Sequence, residues 1–317
     1  MTVSVIIPVY NIADYLVNNL QSMIAQKEND VEFIYVDDGS TDDSSKILKQ
    51  YKEKDARIKV ITQENGGLSA ARNRGMQEAA GEIVMFVDGD DSIAAGAIET
   101  IKQVFIENKL DILLTDEVRI DGEPVNSLQF SNIMTGMQLL LQNEVVYTGC
   151  LYVYSRAFLQ KNNLTFKPGI LHEDMEFLPR ALYYAKRVMK TNYRFYCRVK
   201  RDGSITKTRN IKRSKDLFFI ASSLEQFFKE EELKREEEKF LFNYCCELYL
   251  QGIHVGVING FEIKDIFCCA AERKRIIHKL WKGKGKYRVV AFVLAVRMET
   301  IYQKIYRLYH SKEKRLL

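Results

Sequence analysis

No apolar run in this chain of 317 residues is longer than the eight residues of "VVAFVLAV" at 289–296, far short of the roughly 20 that a membrane-spanning helix needs. The chain is therefore not expected to cross a bilayer, although it can lie on one. Its six cysteines, Cys150, Cys197, Cys245, Cys246, Cys268 and Cys269, form no C-x-x-C spacing, which removes the usual zinc and dithiol readings. They read as free thiols of a reducing cytoplasm, and the strand-like "VSVIIPVY" close to the first residue leaves no signal-peptide pattern there. No G-x-x-x-x-G-K-[ST] occurs, and the first strand-to-helix turn lacks the dinucleotide fingerprint. P-loop and classical dinucleotide chemistry are excluded with them. No internal repeat is evident.

What is present is an ordinary globular composition, 46% hydrophobic and 28% charged, long enough for one large domain or one domain with an appendage. The net charge of +5 conceals an asymmetry. Residues 273–317 carry 14 Lys and Arg against 2 Glu, a net +12 that leaves −7 for the rest. The two ends of the chain face different partners.

Strand signals alternate with helical ones through the first 110 residues or so: "VSVIIPVY", "VEFIYVDDG", "IKVITQ" and "EIVMFVDGD". Such alternation predicts an α/β fold, a mainly parallel sheet with helices on both faces. A fifth strand is expected in "DILLTDEV" at 111–118, followed by a less regular stretch, a helical "LPRALYYAKRV", and a long charged helical region from about Asn210. The reading divides the chain into a catalytic domain, 1–209, and a helical basic extension, 210–317.

Asn, Asp and Gly collect where the strands finish, the edge at which open α/β sheets bind ligands. In "VDGDD", Asp88 and Asp90 lie two apart, which in an extended segment puts them on one side, and hard oxygen donors of this kind suit Mg²⁺ or Mn²⁺ held together with substrate phosphates. A polar strand end with Asp91 or Ser92 capping the next helix reads the same residues without a metal. In "VDDGSTDD", Ser40, Thr41 or Asp42 can cap a helix, which leaves Asp37 and Asp38 unexplained; a carboxylate there can accept a hydrogen bond from a nucleobase N–H or a ribose hydroxyl. "QENGGLSAARNRG" offers a tight turn and two cations, Arg72 and Arg74. In "LHEDMEF", Glu173 and Asp174 beside His172 can supply a general base, or can simply favour a helix N-terminus.

Taken in order, "VSVIIPVYN", "VDDGSTDDS", "ENGGLSAARNRG", "FVDGDD" and "FKPGILHED" resemble the family 2 glycosyltransferases of the GT-A type, over about residues 3–205. The resemblance implies an inverting transfer of a sugar from a nucleotide diphosphate donor, usually UDP-linked, to an acceptor hydroxyl. It also implies residue roles. Pro8, Val9 and Tyr10 line base and ribose, Asp38 takes the base N–H, and Asn65, Gly67 and Arg72 close the nucleotide pocket. Asp90 binds Mn²⁺ or Mg²⁺, Asp88 contacts the ribose or supports the metal, and Asp174 is the base. His172 and Glu173 shape the acceptor side, and Arg198, Ser204 or Lys207 touches the diphosphate.

Two departures from the family pattern stand out. Thr206 and Lys207 follow "SI" where relatives often carry a histidine, and no tryptophan precedes Tyr152. The expected acceptor is a growing surface glycan, often lipid-linked in such relatives. For the tail, Trp281, Phe292, Tyr302, Tyr306 and Tyr309 among basic residues fit either an anionic membrane surface or a helix packed on the rest of the protein. No nucleic-acid recognition motif accompanies the tail. Two other readings are a haloacid-dehalogenase-like phosphohydrolase, which also places Asp-x-Asp at a strand end, and a non-catalytic scaffold.

Overall fold

The computed structural model describes residues 1–118, 128–199 and 210–295. The chain divides into two compact units, Met1–Asp202 and Gly203–Leu317.

In the first unit, β1 (Val3–Val9), β2 (Val31–Asp37) and β3 (Ile58–Thr62) alternate with α1 (Ala13–Ile24) and α2 (Ser44–Lys52). Then come α3 (Leu68–Glu78), β4 (Ile83–Phe86), a two-residue β5 (Ser92–Ile93), α4 (Ala97–Asn108) and β6 (Ile112–Val118). Beyond the undescribed 119–127 follow α5 (Gly136–Leu141), a 3-10 turn (Gly149–Leu151), β7 (Tyr152–Ser155), α6 (Arg156–Lys161), α7 (Glu173–Tyr184) and β8 (Val188–Cys197). Among the described residues, eight strands form one sheet in the order β3-β2-β1-β4-β7-β6-β8-β5. The β1–β2, β2–β3, β1–β4 and β6–β8 pairs are parallel. β7 runs antiparallel to both β4 and β6, as β5 does to β8.

Every residue of β1 and β2 is buried, the mark of inner parallel strands covered on both faces, and this is why they read as continuous apolar runs. Two parts of the sequence reading need revision. Asp91 and Ser92 cap no helix, because Ser92 enters β5 and α4 starts only at Ala97, after Gly96. The helix expected from "LPRALYYAKRV" begins earlier, at Glu173, and carries Pro179 inside it.

The second unit is helical in its described part: α8 (Lys212–Lys229), α9 (Arg235–Ile258), α10 (Ile263–Ile266), α11 (Ala270–Lys282) and α12 (Gly285–Ala295). The long charged helical region expected from about Asn210 opens as two helices, α8 and α9, broken at Glu230–Lys234. α11 and α12 pack within this unit: Ile276, Leu280 and Leu294 are buried, and Tyr287 donates to Glu247 Oε2 at 2.9 Å. Trp281, Val289 and Phe292 stay about half exposed or more. Tyr302, Tyr306 and Tyr309, like Ser204, Thr206 and Lys207, lie outside the described residues. No helix among the described residues is long and apolar enough to cross a membrane.

Candidate active site

The parallel register brings the ends of β1, β2 and β4 to one edge, and the ladder runs on past them: Asp38 N–H donates to Val9 O and Val87 N–H to Ile6 O. Pro8 and Val9 are the buried last residues of β1, and Tyr10, 49% exposed, is the member of the trio with an open ring.

The loop after β2 is organised differently from a simple capped turn. Asp42 and Ser44 accept the N–H groups of Ala13 and Ile12, and Thr41 N–H donates to Asn11 Oδ1, so this loop stitches itself to the start of α1. Asp37 accepts from Ser40 N–H and the Ser45 hydroxyl. The Asp38 carboxylate accepts from Gln63 Nε2 at 2.7 Å, Gly66 N–H at 2.9 Å and Gly67 N–H at 2.8 Å, while Asn65 Nδ2 donates to the Asp38 carbonyl at 3.1 Å. Asp38 thus pins the glycine-rich turn, and three of the roughly four acceptor positions of a carboxylate are taken inside the protein.

The acidic segment after β4 is a turn and not the extended piece its spacing suggested: Asp91 N–H closes onto the Asp88 carbonyl. Gly89 has no room for a side chain, since a Cβ there would lie 2.8 Å from Pro8 O and 2.5 Å from Ile12 Cδ1. A buried network holds the turn. Asn19 Nδ2 donates to the carbonyls of Asp88 and Asp91, and its own Oδ1 accepts from Tyr35. The Tyr196 hydroxyl accepts from Asp88 N–H and donates to Asp91 Oδ2 at 2.5 Å. Asp91 also accepts Val199 N–H, and burial lifts its carboxyl to about 6. Its place is under the turn; Asp88 and Asp90 remain partly exposed above it.

Arg72, from α3, joins this turn to the later acidic pair. Its Nη2 lies 3.0 Å from Asp88 Oδ1, and its Nη1 lies 2.7 Å from Glu173 Oε1 and 3.3 Å from Asp174 Oδ1. The guanidinium is 2% exposed and rests against the rings of Phe166 and Phe86, with Cys150 Sγ at 3.7 Å. The neighbouring Asn73 exchanges two hydrogen bonds of 2.8 Å with the backbone of Phe166, which fastens α3 to the segment leading into α7. Arg74 contributes no charge to this cluster; it pairs with Glu78 on the exposed face of α3.

His172 precedes the acids in the left-handed region, φ 62°, and lets α7 begin abruptly, so that Glu173 and Asp174 occupy its first turn. Burial raises the carboxyls of Glu173 and Asp174 above the usual range, with Arg72 opposing both. The Gly149 N–H donates to Asp174 Oδ2 at 2.9 Å and opposes the rise too. Burial of Arg72 works against its charge, but the Asp174, Asp88 and Glu173 carboxylates outweigh it and keep the guanidinium protonated.

The donor set at the turn suits a hard cation. Asp88 commits Oδ1 to Arg72, leaving Oδ2, and Asp90 adds a second carboxylate. Among the described residues no group of three or more His, Cys, Asp or Glu could hold a metal ion. Two carboxylates are a half-site of the kind Mg²⁺ or Mn²⁺ uses when substrate phosphates and water complete its shell.

The sequence reading named the acids and Arg72 but missed Asn19, Gly149, Cys150 and Tyr196. Of these, Asn19 left a trace: it interrupts the otherwise apolar buried stripe Leu16, Leu20 and Met23 of α1.

Comparison with known proteins adds to this geometry. The family model described as glycosyl transferase family 2 matches residues 4–162. The chain is 34% identical over 208 residues to the uncharacterized glycosyltransferase YibD of Escherichia coli (strain K12), covering 61% of this chain and 60% of that protein. It is 36% identical over 210 residues to a poly(ribitol-phosphate) beta-glucosyltransferase of Bacillus spizizenii, covering 64% of this chain and 33% of that one. A longer match, 31% identity over 304 residues, is to the cholesterol galactosyltransferase of Borreliella burgdorferi, covering 89% and 83% of the two chains. The chain thus spans between a third and three-fifths of the length of the first two of these relatives.

Among solved structures, residues 1–349 of S. aureus TarS in complex with UDP-GlcNAc superpose with a TM-score of 0.72 at 20% identity, covering 98% of this chain and 92% of that one. The mannosyltransferase PcManGT of Pyrobaculum calidifontis, in complex with GDP-Man and Mn²⁺, gives 0.58 at 15% identity, covering 97% and 87%. These likenesses establish the GT-A fold, and the phosphohydrolase reading is not favoured.

Proposed function

The chain belongs to glycosyl transferase family 2, and we propose that it moves a sugar, with inversion, from a nucleotide diphosphate donor, UDP-linked by preference, to a hydroxyl of a surface glycan. The observation that carries this reading is the single guanidinium of Arg72 shared by Asp88 and Asp174, which sets a diphosphate-facing carboxylate and a candidate base around one point. A poly(ribitol-phosphate) beta-glucosyltransferase among the relatives and the UDP-GlcNAc bound to TarS support acceptor and donor class.

In this reading the nucleotide lies along the edge from Tyr10 to the turn at Asn65–Gly67. Asp38 keeps that turn in place and offers its remaining acceptor position to the base. Asp88 and Asp90 would hold Mg²⁺ or Mn²⁺, whose charge offsets the negative charge that builds on a departing diphosphate. Asp174 accepts the proton of the attacking hydroxyl, and a carboxyl raised by burial is a better proton acceptor than an ordinary one. Glu173 and His172 shape the acceptor side. A single displacement turns an α-linked donor into a β-glycoside.

For the second unit, the same proposal places the exposed Trp281, Val289 and Phe292, flanked by Lys282, Lys284 and Arg288, on an anionic membrane surface carrying a lipid-linked acceptor. The catalytic reading is tested by UDP release from UDP-glucose, UDP-galactose and UDP-N-acetylglucosamine with Mn²⁺ or Mg²⁺. Asp174→Asn should retain UDP binding and lose turnover; turnover at the parent rate would remove the base assignment.

A further inference from the structure

The Asp174 carboxylate is held on two sides. Arg72 Nη1 reaches Oδ1 at 3.3 Å, and the Gly149 N–H reaches Oδ2 at 2.9 Å. Gly149 does more than donate. A Cβ built on it would lie 2.4 Å from Asp174 Oδ1, 3.1 Å from Cγ and 3.5 Å from Oδ2, so the carboxylate rests flat against the bare Cα. No real Cβ tolerates the shortest of these distances, and a side chain as short as aspartate's has little slack with which to retreat.

The local backbone explains why this N–H is available. Gly149 opens the 3-10 turn Gly149–Leu151, and the first N–H groups of a helical turn have no partner within it. The turn closes by Leu151 N–H to Thr148 O at 3.1 Å, and the Leu151 carbonyl accepts from Thr115 Oγ1 of β6 at 2.9 Å. It runs directly into β7, which pairs with β4 through Val84–Tyr154 and Met85–Val153. The same sheet contact that carries the Asp88–Asp90 turn therefore carries Gly149. Gly149 is not one of the positive-φ glycines, so alanine fits its backbone, and the three atoms nearest its Cβ would all belong to Asp174.

We propose that Gly149 is a positioning residue for Asp174: its N–H and its missing side chain together fix the distance and orientation of that carboxylate relative to the acidic turn. This rests on Asp174 being the base, and the experiment separates the two statements. In full-length protein labelled with ¹⁵N-glycine and ¹³C-carbonyl threonine, only Gly136 and Gly149 follow a threonine; the Gly149 amide signal, the threonine-coupled one that survives Thr135→Ser, is compared between parent and Asp174→Asn, with Gly149→Ala made alongside. The same variants are assayed for UDP affinity and for UDP release from whichever of the three UDP-sugars named above the parent hydrolyses fastest.

The expected result is a displaced Gly149 signal in Asp174→Asn. Gly149→Ala should show a kcat lower by about 10²-fold, the penalty of an ångström-scale misplacement, with UDP affinity and donor KM within about twofold of the parent. An unmoved signal would show that the contact is absent and overturn the proposal whether or not Gly149→Ala folds. A Gly149→Ala kcat within twofold of the parent, or kcat and UDP affinity falling together, would overturn it as well. Parent-rate turnover by Asp174→Asn with a moved signal would leave the contact standing, remove the base assignment and overturn the catalytic consequence claimed for Gly149.

Discussion

Arg72 Nη2 stands 3.0 Å from Asp88 Oδ1, with the guanidinium sealed from solvent behind Phe86 and Phe166. One buried cation thus answers carboxylates from two separate motifs, and three acids converge on it in all. Their mutual repulsion is tolerable only while Arg72 is charged.

Arg72→Met should therefore be costly. Removing one partner of a buried ion cluster leaves the others uncompensated, at about 3–5 kcal/mol. Urea unfolding would read this as a lower midpoint with an unchanged slope. A variant as stable as the parent would show that the carboxylates are neutral without it.

Asp90→Ala removes half of the proposed cation site and leaves the Arg72 cluster untouched. UDP affinity measured with Mn²⁺ should weaken at least tenfold, about 1.4 kcal/mol, and affinity measured in EDTA should be unchanged. Equal loss under both conditions would mean that Asp90 acts on the nucleotide and not through a metal.

Asn19→Leu should loosen the turn without touching donor or acceptor. It strips the carbonyls of Asp88 and Asp91 of their buried donor, at about 1–3 kcal/mol. Donor KM should rise more than kcat falls. An unchanged KM would show that Tyr196 and the Asp91 N–H bond to the Asp88 carbonyl hold the turn without Asn19.

The pH dependence has a definite sign. The proposed base works only when ionised, and burial raises the Asp174 carboxyl above the usual range while Arg72 pulls it down. The acid limb of kcat for UDP release should lie above the ordinary aspartate value of about 3.9. In Arg72→Met, which removes the opposing cation, the limb should move to still higher pH. A limb moving down would contradict the cluster's electrostatics.

In the second unit, charge and exposed apolar groups can be altered without deleting α11 and α12, whose buried Ile276, Leu280 and Leu294 make wholesale truncation destructive. Trp281→Ser with Lys282→Glu and Lys284→Glu should abolish flotation with phosphatidylglycerol vesicles and leave the far-UV spectrum unchanged. Undiminished flotation would dissociate these residues from membrane binding.

The strand-end acids, the glycine-rich turn and the alternation of elements were legible in the sequence because each is local: an apolar run, a turn residue, a carboxylate where the run stops. What the sequence hid is what packing decides. Asp37 and Asp38 are engaged by the loop around them, Arg72 turns inward while Arg74 turns to Glu78, and Asp91 is buried under Tyr196 instead of starting a helix. Gly149 carried no motif at all, since its importance lies in an atom it lacks, opposite a side chain from another element.

The place of β4 between β1 and β7 has a consequence for synthesis. Until residues 152–155 leave the ribosome, Ile83–Phe86 has no second neighbour and stands as an open apolar edge, the kind of surface on which nascent chains pair with one another. Any premature stop between β4 and β7 would release a fragment holding the acidic turn and that edge, without the partner strand that covers it.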